Sequence, residues 1–306
     1  MIIASTAGGL GNQMFQYAMA RRLAVRHGVE LLLDASTYQK ARHVPGERRL
    51  RLFNFKIHAR EASLVDIAAL RDRYGRKNPV HRAIRLVRRV WPEFLWRRSH
   101  IREKQYRFQP EALSFPDNVY LAGFWQSEKY FADIAPVIHE EFELADNSIS
   151  ESARETVNQV RRKHGTVVSL HVRRGDLVYA FEVLQARERV HGPPMGIEYF
   201  QRAMSQFDPQ ACFFVFSDSP KDIEWCRQNL RSPCLEFSTG ESELWDFVAM
   251  SACDHHIISN SSFSWWAAWL NTKANRRVIA PSRWSGPDAK RQMDTDDLIP
   301  KDWTMI

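Results

Sequence analysis

Along the 306 residues, short apolar runs alternate with longer stretches in which apolar positions return every three to four residues. The second half shows this most plainly. Val167, Val168, Leu170 and Val172 form an apolar run between Gly165 and Gly175, the pattern of a parallel strand buried on both faces. Cys212–Ser217, Cys234–Phe237, His256–Ser259 and Val278–Pro281 repeat it, and the segments between them predict helices over 196–206, 219–230, 241–252 and 262–271. The first half opens similarly, with a strand over Met1–Ser5, a glycine-rich turn, a helix from Asn12 to His27 and a strand over Val29–Asp34. In that helix Asn12 is placed to cap the start and Gly28 to end it. A strand over Val119–Phe124 and a helix over Ser127–Glu141 follow, and the polar stretch Leu144–Ser150 leads into a helix over Glu151–His164. Residues 38–114 are irregular, basic and hard to order. Strands and helices alternating at this spacing predict an α/β fold with parallel, doubly wound sheets. Two such halves predict Rossmann-like domains over 1–148 and 149–306, facing a central cleft.

Composition changes this picture little. It is that of an ordinary globular protein without low-complexity tracts or repeats, and no window approaches the ~18 apolar residues of a membrane-spanning helix. The first residues have neither the basic stretch nor the long apolar run of a secretion signal, so a cytoplasmic location is expected. Cys212, Cys226, Cys234 and Cys253 lack C-x-x-C spacing and are expected as buried thiols. Charge adds one feature. The net charge is +7, and residues 71–104 hold twelve lysines and arginines against Asp72, Glu93 and Glu103. Within that run Val80, Ile84, Val87 and Trp91 recur at helical spacing, which reads either as a solvated helix face or as a surface for an anionic membrane. No nucleic-acid-binding motif accompanies it.

The candidate chemistry sits where predicted strands end. A buried strand does not ordinarily close in His171, Arg173, Arg174 and Asp176, because unpaired charges are costly to desolvate. Ligands of open α/β sheets, however, bind at the carboxyl ends of strands, and two arginines there offer forked, permanently charged donors for a phosphate. The other reading is an Arg–Asp pair that closes a turn. In Phe216-Ser217-Asp218-Ser219, Asp218 either caps the next helix or faces a ligand. The stretch Ser259-Asn260-Ser261-Ser262-Phe263-Ser264 opens a helix and reads as a phosphate site or as a hydroxyl-rich cap; Trp265, Trp266 and Trp269 read as core. In the first half Gly9 and Gly11 offer a G-x-G turn with Asp34 downstream, but Met14 occupies the third glycine position of a nicotinamide site. Asp294, Asp296 and Asp297 lie near the end of the chain and read as a solvated acidic loop. No metal is expected, since arginines and a helix N-terminus can neutralise a departing diphosphate themselves.

Gly8-Gly-Leu-Gly-Asn-Gln-Met-Phe-Gln-Tyr-Ala18, His171-Val-Arg-Arg-Gly-Asp176, Phe216-Ser-Asp218 and Ser259-Asn-Ser-Ser-Phe-Ser-Trp-Trp-Ala-Ala-Trp-Leu270 together resemble the bacterial α-1,2-fucosyltransferases of glycosyltransferase family 11. The resemblance implies a GT-B fold and an inverting transfer of L-fucose from GDP-β-L-fucose to a galactose 2-hydroxyl. It further implies a galactose-terminated or lipid-linked glycan as acceptor, and a cytoplasmic protein peripheral to the inner membrane face through residues 71–104. The N-terminal domain would take the acceptor and the C-terminal domain the donor. Arg173 would stabilise the leaving diphosphate, with His171 near the nucleotide and Arg174 and Asp176 in support. Asn260, Ser261, Ser262 and Phe263 would contact phosphate and nucleotide beside Asp218, and Asp246 would accept the guanine N1–H and N2–H₂ edge. Asn12, in the turn Gly9-Leu10-Gly11-Asn12-Gln13, would approach sugar and acceptor, and Glu182 is the candidate general base. Another fucose linkage, a nicotinamide-dependent oxidoreductase and a non-catalytic binder of anionic polymer are the competing readings.

Overall fold

The computed structural model describes residues 1–39, 49–71, 99–175, 194–284 and 295–306. Most of the basic run, together with Asp176, Glu182 and Asp294, lies outside these described residues. The chain divides into one unit of Met1–Phe53 and Ile57–Glu141 and a second of Asn54–Lys56 and Phe142–Ile306.

The first unit contains β1 (Ile2–Ser5), α1 (Leu10–His27), β2 (Leu31–Asp34), α2 (Ser36–Gln39), β3 (Arg60–Glu61), α3 (Leu64–Leu70), β4 (His100–Arg102), β5 (Val119–Ala122) and α4 (Ala135–Glu141). Its five strands are parallel in the order β3-β2-β1-β5-β4. Helix α1 starts at Leu10 rather than Asn12. Gly9 is the N-cap and makes no side-chain capping bond, so Asn12 lies inside the first turn. The helix ends as expected at Gly28, whose φ of 61° is the left-handed conformation glycine adopts at little cost. Met14, Phe15, Tyr17, Ala18 and Met19 on α1 are fully buried, each larger side chain contributing about 1.5–3 kcal/mol. The helix expected over Ser127–Glu141 resolves into two short 3₁₀ turns, Glu128–Tyr130 and Ala132–Ile134, before α4.

The second unit contains α5 (Asn147–His164), β6 (Val167–Val172), α6 (Ile197–Met204), β7 (Cys212–Ser217), α7 (Pro220–Asn229), β8 (Leu235–Phe237), α8 (Glu243–Ala252), β9 (His255–Ile257), α9 (Ser262–Leu270), β10 (Val278–Ala280) and β11 (Thr304–Met305). The expected border at 148/149 falls inside α5, which Asp146 caps by accepting the Ser148 N–H at 2.9 Å. The six strands among the described residues are parallel, in the order β11-β10-β9-β6-β7-β8. Numbered within the unit, this is the doubly wound order 3-2-1-4-5-6, with its switch point between β6 and β9.

Every residue of β6 is buried, and Val168, Leu170 and Val172 pack with Phe213, Val215, Ile257, Phe200 and Ala203 in one core. Two polar side chains inside the sheet, Ser169 and His256, satisfy each other. Asn271 Nδ2 donates to His256 Nε2 at 2.7 Å, so His256 Nδ1 carries the proton and donates to Ser169 Oγ at 2.8 Å. Desolvation, aided by Arg276, holds His256 near a pKa of about 3, hence neutral. The tryptophans of α9 are core, as expected, with Trp265 and Trp266 fully buried. The cysteines correct the expectation of four thiols: Cys212 and Cys234 form a disulfide across 4.7 Å between Cα atoms, while Cys226 and Cys253 are free and buried. The cause is register. Phe213 on β7 pairs with Leu235 on β8, which brings the preceding cysteines side by side. No described helix is long and apolar enough to cross a membrane.

Candidate active site

The end of β6 is stitched to the end of β9 across the switch point of the second unit. Ser259 Oγ donates to the His171 carbonyl at 2.6 Å and accepts the Arg173 N–H at 3.2 Å. The Arg173 guanidinium donates through Nη1 to the Asn260 carbonyl at 3.0 Å, which seats it over the loop entering α9. On the other side of β6, Ser217 Oγ donates to the Val172 carbonyl at 2.6 Å. The strand-end residues thus form one assembly built from β6, β7 and β9.

The two arginines separate. Arg174 turns toward β7 and α7, where its guanidinium lies 3.9 Å from the Trp225 ring centroid and its Nε 3.8 Å from Asp222 Oδ1. Its backbone N–H donates to Asp218 Oδ2 at 3.2 Å. Asp218 does not cap α7. Ser219 does, accepting the Asp222 N–H at 3.2 Å while donating to Asp222 Oδ2 at 2.8 Å, an arrangement akin to a capping box. Arg173 is therefore the guanidinium directed at the hydroxyl-rich loop, and Arg174 braces the turn that follows it.

Helix α9 starts at Ser262 with Ser261 as N-cap and no side-chain capping bond, so its first-turn N–H groups are not covered by the cap. Asn260 and Ser261 are buried at 4% and 5% exposure. The positive end of the helix dipole and Arg173 make this end of the sheet suited to an anion. Burial, reinforced by the Arg173 charge, pushes His171 down to a pKa of about 3, so its imidazole is neutral. Its Nδ1 is buried without a hydrogen-bond partner among the described residues, and its ring lies 5.9 Å from that of Phe263.

Asp246, in the first turn of α8, sits one strand further out. Phe263 packs against its neighbour Phe247 with ring centroids 5.3 Å apart and planes tilted by 54°, which links the two helix starts. Desolvation raises Asp246 to about 6, against the lowering effect of a short hydrogen bond donated by Ser238 Oγ. A half-buried carboxylate that ionises near neutrality can accept a pair of N–H donors from a ring edge.

In the first unit the glycine turn is tightly determined. Gly8 has φ +83°, and a Cβ there would lie 2.6 Å from Asn12 Nδ2. Gly9 accepts the Asn12 N–H at 3.0 Å and the Gln13 N–H at 3.1 Å. Gln13 is a buried clamp, donating to the Gly8 and Arg49 carbonyls and accepting the Arg51 N–H at 2.8 Å. Gly11 is buried in the first turn of α1, and Asn12 Oδ1 accepts from Gln126 Nε2 at 2.7 Å.

The structure thus gathers His171, Arg173, Arg174, Asp218, Asn260, Ser261, Ser262 and Phe263, and ties Asp246 to them through aromatic packing. Asp176 and Glu182 lie outside the described residues. Sequence reasoning named Ser217 and Ser259 in its motifs but not their hydroxyls' role in joining strand ends, and passed over Ser238, which bonds Asp246, and Trp225. Asp222 and Trp225 are three residues apart on α7, a spacing that places both on the face turned to Arg174.

A family model described as "Glycosyl transferase family 11" matches residues 77–306. The chain is similar to an alpha-1,2-colitosyltransferase of Escherichia coli, 31% identical over 315 residues that cover 100% of this chain and 99% of that protein. The Escherichia coli O-antigen biosynthesis glycosyltransferase WbnK is 28% identical over 318 residues, 96% of this chain and 98% of that protein. Human galactoside alpha-(1,2)-fucosyltransferase 1 is 29% identical over 160 residues, 49% of this chain and 42% of that protein. Among solved structures, a mutant of Arabidopsis thaliana FUT1 in complex with GDP gives a TM-score of 0.48 at 11% identity, over 99% of this chain and 81% of that one.

Proposed function

The chain belongs to glycosyl transferase family 11 and is a glycosyltransferase, and we propose that it moves L-fucose from GDP-β-L-fucose to the 2-hydroxyl of a galactose, forming an α-1,2 linkage with inversion. The observation that carries this reading is the Arg173–Asn260 contact over the uncapped start of α9, a grip for a diphosphate at a switch point. The α-1,2 linkage is common to the names of the colitosyl and fucosyl relatives. The name of WbnK supports an acceptor in surface polysaccharide synthesis.

In this reading Arg173 and the α9 N–H groups hold the β-phosphate and stabilise the charge that develops as GDP departs. No divalent ion is required for that task. His171 stays neutral beside the nucleotide, where its Nδ1 is available for one hydrogen bond. Asp246 accepts the guanine edge, and Asn12 approaches the acceptor. The basic run 71–104 would hold the enzyme to an anionic membrane face, which binding to anionic vesicles tests.

The colitosyl relative, similar over the whole chain, favours one further donor, a nucleotide-linked colitose. Purified protein incubated with each donor, with and without EDTA, against a panel of galactosides decides the matter. Transfer from GDP-fucose that EDTA does not suppress, to product with a 2-linked galactose, is the expected result. Strict dependence on a divalent ion, or no GDP release with any acceptor, would refute the reading, and preference for the colitosyl donor would reassign the sugar.

A further inference from the structure

The first unit has a switch point of its own, between the carboxyl ends of β1 and β5, and several unusual features meet there. The Gln126–Asn12 bond ties the segment after β5 to the first turn of α1. Trp125, one residue earlier, is buried yet held at φ +56°, a left-handed backbone that a bulky residue adopts only under constraint. Glu103, just past the end of β4, supplies that constraint. Its carboxylate accepts the Phe124 N–H at 2.7 Å and the Trp125 N–H at 3.0 Å. Gly123 lets the turn come this close, since a Cβ there would lie 2.4 Å from Glu103 Cβ. Glu103 has no cationic partner among the described residues, so its charge is spent on the turn alone.

The turn presents an aromatic pair. The rings of Tyr106 and Phe124 stack with centroids 6.0 Å apart and planes 18° from parallel, and both side chains are half-buried. An anchored amide pair beside a part-exposed aromatic face suits a neutral polyol better than a phosphate. Hydroxyl groups exchange hydrogen bonds with amides, and the apolar C–H face of a pyranose packs on an aromatic ring.

Resting on the glycosyl-transfer reading above, we propose that this turn is the subsite for the pyranose of the acceptor. Phe124 and Tyr106 form its stacking face, the Gln126–Asn12 pair its hydroxyl-binding edge, and Glu103 is the positioning residue that fixes the turn.

The test uses the full chain, GDP-fucose and lactose, with two reactions followed in parallel: transfer to lactose, and hydrolysis of GDP-fucose, in which water instead of lactose attacks the fucose and GDP leaves. Phe124→Ala and Tyr106→Ala are expected to raise KM for lactose at least tenfold while hydrolysis and the thermal shift caused by GDP stay unchanged. Phe124→Trp and Tyr106→Phe are expected to restore the wild-type KM. Glu103→Gln, which removes one of the two acceptors, is expected to lower kcat for transfer and leave hydrolysis intact. An unchanged lactose KM in Phe124→Ala, or an equal loss of both reactions, overturns the subsite. Should Phe124→Ala fold poorly, Phe124→Leu keeps the bulk without the aromatic face and carries the same two outcomes. Should the wild type transfer nothing, saturation-transfer NMR with methyl β-galactoside decides separately: a signal lost in Phe124→Leu supports the subsite, and no wild-type signal overturns it. Absence of a GDP thermal shift would count against the donor reading alone.

Discussion

In the second unit a serine hydroxyl, Ser259, bridges β6 and β9, and a guanidinium closes over the loop beyond it. In the first unit an amide pair, Asn12 and Gln126, bridges the segments that follow β1 and β5, and a carboxyl group with no cation beside it among the described residues braces the turn beyond. The strand order around the two switch points is nearly the same, so topology does not distinguish them. Their side chains do. One end concentrates positive charge and an uncapped helix start, while the other offers amides, rings and a carboxyl group with no cation beside it among the described residues. A transferase needs both kinds of end, one for an anionic leaving group and one for an uncharged nucleophile.

The sharpest way to break this contrast is to remove the cation. Arg173→Ala is expected to lower kcat for transfer about 10²–10³-fold, the usual scale for losing one preorganised donor at a developing charge. The fold should survive, because β6 is held by its apolar core. Arg174→Ala is expected to cost only a few-fold in the same assay, since its guanidinium lies against Trp225 and Asp222 rather than on the Ser259–Ser262 loop. Equal losses in the two variants would erase the distinction between the arginines.

A smaller effect separates the proposed base-binding role of Asp246 from the proposed phosphate grip of Arg173. Burial raises Asp246 to about 6, and only its ionised form accepts two N–H donors. Below pH 6 its share of GDP affinity should fall about tenfold per pH unit, because the ionised fraction does. The measurement is calorimetric titration from pH 5 to 8 on wild type and Asp246→Asn; their difference cancels the phosphate's own ionisation. Asp246→Asn should bind weakly, with no such slope in the difference. Removing the Ser238 hydroxyl, which favours the ionised form, should move the midpoint upward. Parallel curves would place the guanine elsewhere.

How far the two ends could be read from sequence follows the same contrast. The end in the second unit was legible because a buried strand ending in His171, Arg173 and Arg174 violates the burial rule, and a violation is visible in one dimension. Its finer joints were not: whether Asp218 or Ser219 caps α7 depended on weighing two adjacent oxygens, although Ser219 with Asp222 three residues on is itself a capping signature. The end in the first unit left almost no trace. Strands β3 and β4 have two and three residues, too short for a period, and Glu103 acts only because tertiary packing brings β4 beside the turn after β5. The disulfide between Cys212 and Cys234 had the same invisibility, since it depends on the register of β7 against β8.

The smallest expected effect lies in how stability varies with pH. Desolvation lifts Glu103 to about 7, only partly opposed by the two backbone N–H groups it accepts, whereas an unfolded glutamate titrates near 4.3. A folded pKa above the unfolded one means that folding favours the neutral acid. Its contribution is therefore complete below about pH 4.3 and disappears as pH rises through about 7. Lowering the pH from 8 to 5 should stabilise the wild type relative to Glu103→Gln, which cannot titrate. Asp254 in the second unit is the control. Burial raises its pKa, but Lys273, the Val167 N–H and Arg161 together bring it below the ordinary value, so its contribution is lost only on stronger acidification. Asp254→Asn should thus differ from wild type by a constant amount over that range. Thermal melts of the three proteins at matched ionic strength supply the comparison. A flat difference for Glu103→Gln as well would mean that the two N–H groups outweigh desolvation and hold the Glu103 carboxylate as an anion over the whole range.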